Sequence, residues 1–189
     1  MVNRYMEKPT TMHQKAVKQI LRYLKGTIEF GLEYTSGGNG KLAEFSDSSL
    51  AGDINDRRST SGMVFYVNKS MISWGSQKQK SVALSSCEAE FMATTATACQ
   101  AIRLRGLMSE VTGCPPEAVK LYVNNKSVIA LMKNPVFHGK IKHINTRFHF
   151  IQECVERGEI IVEHVRGEEQ RADILTKSLT KVKFSEMRE

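Results

Sequence analysis

The alternation of apolar and polar residues along the chain predicts a series of β-strands. A short strand at residues 30–34 (FGLEY) precedes a glycine-containing linker at 35–40. The remaining strands are predicted at residues 41–49, 62–67, 70–77, 118–124 and 159–165. A turn of hairpin length, Asn68-Lys69-Ser70, separates the second and third of these. The three strands before residue 80 are therefore expected to form an antiparallel meander.

Helical spacing of apolar residues predicts the elements between and around the strands. The first helix is amphipathic, follows Pro9 and ends at Gly26. The longest begins at Ser85 or Ser86, either of which is a good N-cap, and extends to about Val111. Three shorter helices are predicted at residues 126–134, 144–158 and 168–179.

The order of these elements predicts an α/β fold. Strands separated by helices are joined by right-handed parallel crossovers, whereas consecutive strands pair antiparallel. We therefore expect a mixed five-stranded sheet, with the first three strands antiparallel, the last two parallel, and helices on the faces. The expected domain limits are 1–36 for the first helix and short strand, 37–182 for the α/β domain, and 183–189 for a C-terminal tail.

Three acidic residues lie where this topology brings strand ends and helix starts together. Asp47 lies near the end of the first sheet strand, Glu90 early in the long helix, and Asp173 early in the last helix. Glu88 and Glu90 are about 200° apart around the helix, so only one of them can face the sheet. The stripe of small and apolar residues that continues from Glu90 assigns the inward position to Glu90. Glu88 is then expected to be a solvated carboxylate near the helix N-terminus.

Each of these acids taken alone is more often structural, but together they match the needs of a two-metal nuclease. Two Mg²⁺ ions about 4 Å apart clamp a phosphodiester, one activating water and the other stabilising the leaving oxygen. Mg²⁺ prefers carboxylate oxygens as protein ligands. Several carboxylates in one cleft are needed to balance the charge of two such ions.

Composition narrows the class of protein and of partner. Hydrophobic residues make up 41% and charged residues 25% of the 189 residues, which is ordinary for a globular protein. No apolar run approaches the roughly 20 residues of a membrane span, and the N-terminus lacks an apolar signal, so we expect an intracellular protein of cytoplasm or nucleus with no membrane partner. The formal net charge of +7 favours nucleic acid as the partner over a merely solvated basic surface.

Several segments resemble the ribonuclease H region of copia-type retrotransposon polyproteins. They occur in order between about Pro9 and Leu179 and read LRYLKGT, SLAGDINDRRSTSG, SWGSQKQKSVALSSCEAEFMA, LYVNNKSVIALMKNPVFHGKIKHI and RADILTK. The first helix resembles the connection that follows the reverse transcriptase. The Tyr-x-Asp-Asp motif of that polymerase does not occur in this sequence, so we expect an excised or truncated piece of the polyprotein.

The resemblance implies a ribonuclease H-like fold and cleavage of the RNA strand of RNA:DNA hybrids by two Mg²⁺ ions and four acidic residues. Three of these acids correspond to Asp47, Glu90 and Asp173, which are therefore the expected catalytic residues and metal ligands. Where the family usually has Asp-Asn-Gln-Ser, this sequence has Asn124 in place of the fourth acid. Because one charge matters strongly in a low-dielectric cleft, we expect Mg²⁺, or Mn²⁺ in its place, to bind weakly. The endonuclease is then strongly impaired or inactive.

Basic and polar residues at strand ends are the candidate contacts to nucleic acid. The arginines of the loop after the first sheet strand either hold a phosphate or pair with Asp53 and Asp56. Lys126, in place of the glutamine usual in the family, contacts a phosphate or is solvated. For Trp74, core packing is expected over base stacking. The full set of candidates is Arg57, Arg58, Ser61, Gln77, Lys78, Lys80 and Lys126.

Three interpretations follow from the sequence. The chain is a Mg²⁺-dependent hybrid ribonuclease, a monomeric module that binds RNA:DNA hybrid or duplex without cutting it, or a domesticated domain that contacts a host protein. Asn124 favours the last two interpretations over the first. The net charge favours the nucleic-acid module over the host-protein module.

Overall fold

The computed structural model of the protein describes residues 6–34, 36–38, 40–134 and 145–188. The chain divides into two compact units, Met1–Tyr34 and Thr35–Glu189, each of which is described by itself. The stop expected at Pro135 and the start of the helix expected at residue 144 lie outside the described residues. No helix within the described ranges is both long enough and apolar enough to cross a membrane.

Residues 6–34, the described part of the first unit, contain one helix, α1 (Thr11–Lys25). The hydroxyl of Thr10 accepts a hydrogen bond from the backbone N–H of His13, and the helix ends at Gly26, as its spacing predicts. None of the residues described in α1 is buried, and Leu21 and Leu24 are 58% and 55% exposed. Residues 30–34, which were expected to form a short strand, have no regular secondary structure.

The second unit contains the five-stranded mixed sheet. In the strand order β3-β2-β1-β4-β5, the pairs β1–β2 and β2–β3 are antiparallel, and β1–β4 and β4–β5 are parallel. The α/β class and the topology expected from the sequence are therefore confirmed. The strands are β1 (Leu42–Ser49), β2 (Thr60–Val67), β3 (Ser70–Lys78), β4 (Val119–Val123) and β5 (Ile160–His164).

The described residues of the second unit also form four α-helices and a short 3-10 helix. The α-helices are α2 (Ser86–Thr112), α3 (Lys126–Lys133), α4 (Asn145–Glu156) and α5 (Lys181–Arg188). The helix expected at 168–179 is wrong in type and length. Its residues form instead a 3-10 helix of five residues, Arg171–Leu175, and α5 follows as a separate element.

The long helix α2 begins and ends where its local chemistry predicts. The side chain of Ser85 accepts a hydrogen bond of 3.1 Å from the N–H of Glu88, and Gly113 ends the helix with a left-handed φ of 68°. The expectation of a solvated Glu88 is wrong. Its Oε2 accepts a 2.8 Å hydrogen bond from the N–H of Leu84, and the residue is 8% exposed, because this carboxylate closes the helix start.

The main core lies between the sheet and α2, α3 and α4. Its largest side chains include Phe91, Leu121, Met132, Ile151 and Ile160, each at most 1% exposed. Trp74, by contrast, is 55% exposed on β3, so the expectation of core packing for it is wrong. The edge strand β3 therefore presents an aromatic ring to solvent.

Glu44 is a buried acid in the middle of the sheet. It lies on β1 between Phe65 of β2 and Leu121 of β4 in the strand register, and it is 0% exposed. Neither carboxyl oxygen has a hydrogen-bond partner among the described residues. Burial raises the pKa of Glu44 well above its usual value. At neutral pH the carboxyl group therefore costs stability, whether it keeps its proton or ionises.

We predict that Glu44→Leu raises the free energy of unfolding near neutral pH by about 1–3 kcal/mol, the cost of one unsatisfied buried polar group. The pKa of Glu44 is higher in the folded than in the unfolded state. Its protonated form therefore gives the wild type its greatest stability below the unfolded pKa, and this stability is lost as pH rises through the folded pKa. Wild type should therefore lose stability relative to Glu44→Leu as pH rises above the unfolded glutamate pKa of about 4.3. Urea denaturation at several pH values measures both effects.

Glu163→Gln is the matched control, since Glu163 is a strand glutamate that pairs at the surface with Lys120 at 2.8 Å. Its stability should change by less than about 1 kcal/mol at any pH. Equal pH dependence in wild type and Glu44→Leu would contradict the assignment of a buried, partnerless acid.

Candidate functional site

Asp47 is the centre of a cluster of polar side chains at the end of β1. It is 2% exposed and lies opposite Gly62 of β2 in the antiparallel register. The hydroxyl of Thr176 donates a short hydrogen bond to its Oδ2. Burial raises the pKa of Asp47, while the hydrogen bond from Thr176 and the charge of Lys177 oppose that rise.

The 3-10 helix brings Asp173 to the same place. Gln170, fully buried, donates from Nε2 to the backbone oxygen of Ser46 at 3.0 Å and so ties the helix start to β1. Asp173 is 2% exposed, and its carboxyl group contacts that of Asp47. The end of β1 and a 3-10 helix more than 120 residues later in the chain thus place two acids side by side.

The absence of a side chain at Gly62 permits this approach. A Cβ atom at this position would lie 2.6 Å from Cγ2 of Thr176 and 2.9 Å from the backbone oxygen of Ala172. Both distances are shorter than van der Waals contact. The glycine therefore sets how closely the 3-10 helix packs on β2 beside Asp47.

Glu90 and Asn124 complete the cluster from α2 and from the turn between β4 and α3. Burial raises the pKa of Glu90, a hydrogen bond from Asn125 lowers it, and the charge of Asp47 raises it further. Asn125 also caps α3 by accepting a 2.9 Å hydrogen bond from the N–H of Ser127. Oε2 of Glu90 and Oδ1 of Asn124 are both buried with no hydrogen-bond partner among the described residues.

Two lysines that were not among the predicted site residues form ion pairs with these acids. Nζ of Lys177 is 2.8 Å from Oδ1 of Asp173 and 3.7 Å from Oδ2 of Asp47. Nζ of Lys183, on α5, is 2.9 Å from Oδ2 of Asp173. Partial burial opposes protonation of Lys177, but Asp173 and Asp47 outweigh it and raise the pKa of this lysine, which is a cation at neutral pH.

A cleft of about 590 Å³ opens beside the cluster. It extends from Asn124, which occupies the predicted position of the fourth ligand, to Lys177, Lys183 and the segment that follows β5. The residues that line it include Asn124, Arg166, Glu168, Asp173, Lys177 and Lys183. The cleft is thus polar and of mixed charge, which suits an anionic, hydrogen-bonding ligand more than an apolar one.

The donor chemistry of the cluster suits Mg²⁺, but its arrangement is not a preformed metal site. Carboxylate oxygens and the orphaned amide oxygen of Asn124 are ligands of the kind that Mg²⁺ takes. Across the described ranges, however, no three His, Cys, Asp or Glu side chains form a group that could hold a metal ion. Ammonium groups lie against both oxygens of Asp173. As arranged, the residues therefore do not fit a bound pair of divalent ions.

The candidate nucleic-acid contacts differ in exposure. Arg57, Gln77, Lys80 and Lys126 are exposed. Lys78, in contrast, is held by Asp53 and Asp56, with N–O distances of 2.5 and 2.6 Å.

The two remaining candidates are engaged with neighbouring side chains. Arg58 pairs with Asp56 at 3.6 Å. Ser61 is 7% exposed and accepts a hydrogen bond from Gln79. The exposed members of the candidate set are therefore those free to meet a polyanion.

Comparison with known proteins finds relatives along almost the whole chain. The chain is 38% identical over 183 residues to the retrovirus-related Pol polyprotein from transposon RE2 of Arabidopsis thaliana, covering 97% of this chain and 13% of that protein. It is 39% identical over 183 residues to the polyprotein from transposon TNT 1-94 of Nicotiana tabacum, covering 97% and 14%. The chain thus spans a small part of the length of these relatives. No protein-family model matches it.

Solved structures with the same fold include ribonucleases H. The structure of LC11-RNase H1 in complex with an RNA/DNA hybrid superposes with a TM-score of 0.54 at 17% identity. The match covers 72% of this chain and 94% of that one. At this identity the likeness establishes the fold of the second unit.

We predict that Gly62→Ala destabilises the fold by about 1–3 kcal/mol and displaces the 3-10 helix, because the new methyl group overlaps backbone that cannot move freely. Denaturant unfolding measures the first effect. The chemical shifts of Thr176 and Asp173 in NMR spectra measure the second.

Gly75→Ala on β3 is the matched control. A Cβ at that position would meet only the flexible side chain of Met63, at 3.4 Å or more. It should cost less than about 1 kcal/mol, since alanine also replaces the less favourable glycine in a strand. Equal destabilisation by both substitutions would show that the packing of the 3-10 helix on Gly62 is not the constraint.

Proposed function

The chain belongs to the copia-type, retrovirus-related Pol polyproteins as their ribonuclease H-like part, and from this we propose that it binds RNA:DNA hybrid but cleaves the RNA strand poorly. The acids Asp47, Glu90 and Asp173 form the proposed catalytic cluster, with Asn124 in the position of the fourth. We expect poor cleavage because Asn124 lacks the negative charge of the fourth acid and because the ammonium groups of Lys177 and Lys183 already pair with Asp173.

A neutral amide beside buried acids is the observation that carries this proposal. Asn124 lines the cleft that Asp173 also lines, and its buried Oδ1 can offer a divalent ion a lone pair but no charge. Interactions with a full charge in such a partly buried place are several times stronger than in water. The cluster therefore attracts divalent ions less than one with four carboxylates would.

Binding to nucleic acid is supported by charge and by similarity. The formal net charge is +7, and the exposed side chains of Arg57, Lys80 and Lys126 belong to the same unit as the acid cluster. A protein of the same fold is known in complex with an RNA/DNA hybrid. Phosphate contacts by such residues release counterions and do not depend on catalysis.

We predict that the chain binds a short RNA:DNA hybrid in the presence of EDTA, with an affinity that falls steeply as salt rises. The triple substitution Arg57→Gln, Lys80→Gln and Lys126→Gln should lower the slope of log K against log salt by about one for each side chain that contacts a phosphate. Fluorescence anisotropy over a range of salt concentrations measures the slope.

The control is a second triple substitution, Lys15→Gln, Lys18→Gln and Lys25→Gln, on or next to the polar side of α1. This variant has the same net charge as the first triple variant, but its second unit is unaltered. If both triple variants lose the same slope, net charge alone explains the binding. If wild type does not bind hybrid at low salt, nucleic acid is the wrong partner.

We predict that Asn124→Asp raises the rate of Mg²⁺-dependent hybrid cleavage by about tenfold or more, because it returns a full charge to the cluster. Gel assays with labelled RNA strand, in Mg²⁺ and in Mn²⁺, measure the rate. Asn55→Asp, in an exposed loop, is the control for the added charge alone. Impairment is refuted if the natural protein already cuts as fast as the Asn124→Asp variant.

One observation favours a second function, that of a protein-interaction module. The apolar side of α1 is exposed, with Ile20, Leu21 and Leu24 about half accessible. Apolar helical stripes of this kind are usual at contacts between proteins. Loss of hybrid binding at low salt, together with association of the chain at moderate concentration that Leu21→Glu abolishes, would select this function.

A further inference from the structure

Asp173 is the acid most completely neutralised within the cluster. Lys177 contacts one of its carboxyl oxygens at 2.8 Å and Lys183 contacts the other at 2.9 Å. The side chain of Asp173 is 3% exposed, whereas those of the two lysines are 44% and 29% exposed. A buried carboxylate is thus bound on both sides by cations that can reach solvent.

The two lysines are held in different ways. Lys177 lies two residues after the 3-10 helix and four residues from Asp173, and its backbone N–H donates to the backbone oxygen of Asp173 at 3.2 Å, which keeps it beside the acid. Lys183 reaches Asp173 from α5, and its Nζ also donates to the backbone oxygen of Gly167 at 2.9 Å. None of the residues described in α5 is buried. The contact of Lys183 can therefore break by a movement of α5 alone.

Charge balance explains why the lysines and a divalent ion cannot all be held at once. The carboxylates Asp47, Glu90 and Asp173 can carry three negative charges, and the two ammonium groups already offset two of them. A divalent ion that entered beside Lys177 and Lys183 would leave a net positive charge in a largely buried place. Removal of one ammonium group is the change that restores balance for one divalent ion.

We propose that the ammonium group of Lys183 competes with divalent metal for Asp173. The helix that carries it, α5, moves away from the acid cluster when metal binds. This inference rests on the proposed function only in treating Asp173 as a metal ligand. It assigns α5 a regulatory role: metal binds at Asp173 only after Lys183 has left. Arg166 and the backbone oxygen of Gly167 remain in the cleft when it does.

The test is a Mn²⁺ titration of the full chain, with free Mn²⁺ followed by EPR spectroscopy. Lys183→Gln should bind Mn²⁺ about fivefold more tightly than wild type, the equivalent of one partly exposed ion pair. Lys181→Gln removes an exposed charge from the same helix and should bind as wild type does. Lys183→Arg keeps the charge and should also bind as wild type does.

Two further measurements keep the result unambiguous. Far-ultraviolet circular dichroism and a thermal melt verify that each variant is folded. Hybrid binding in EDTA, measured separately, reports on the proposed function and not on metal competition, so either can fail alone. The proposal is overturned if Lys183→Gln binds Mn²⁺ no more tightly than Lys181→Gln, which includes the case in which no variant binds it.

Discussion

Two buried carboxylates in contact, Asp47 and Asp173, are the constraint around which the rest of the site is arranged. Each is 2% exposed, and like charges so placed repel strongly unless hydrogen bonds and cations offset them. The hydroxyl of Thr176 and the ammonium of Lys177 meet this need from the two residues that directly follow the 3-10 helix. Gly62 provides the space in which that helix can come close enough to do so.

Much of the fold and the position of the acids could be read from the sequence, because they depend on local patterns. Alternation gave the strands, and Ser85 and Gly113 gave the limits of α2. The element that carries Asp173 could not be predicted, because long-range contacts decide its form. The hydrogen bond from Gln170 to Ser46 joins residues 124 positions apart, and it fixes a 3-10 helix where helical spacing predicts a longer α-helix.

Periodicity also says which residues share a face, but not what covers that face. Trp74 alternates like a core residue and lies in solvent. Glu44 is of a residue type common at surfaces, yet it is buried in the sheet, with no hydrogen-bond partner in the described part of the chain. Lys183 follows no pattern that separates it from its neighbours, because its role depends on where the chain turns after the 3-10 helix. In each case the burial is decided by elements far away in the sequence.

Asn125 links the short helix α3 to the orientation of an acid, since it caps that helix and hydrogen-bonds to Glu90. A helix of eight residues is marginal by itself, and α3 is held in place by the burial of Val128, Leu131 and Met132. The capping hydrogen bond and the contact with Glu90 are made by one side chain. The start of α3 and the orientation of the Glu90 carboxylate are therefore coupled through Asn125.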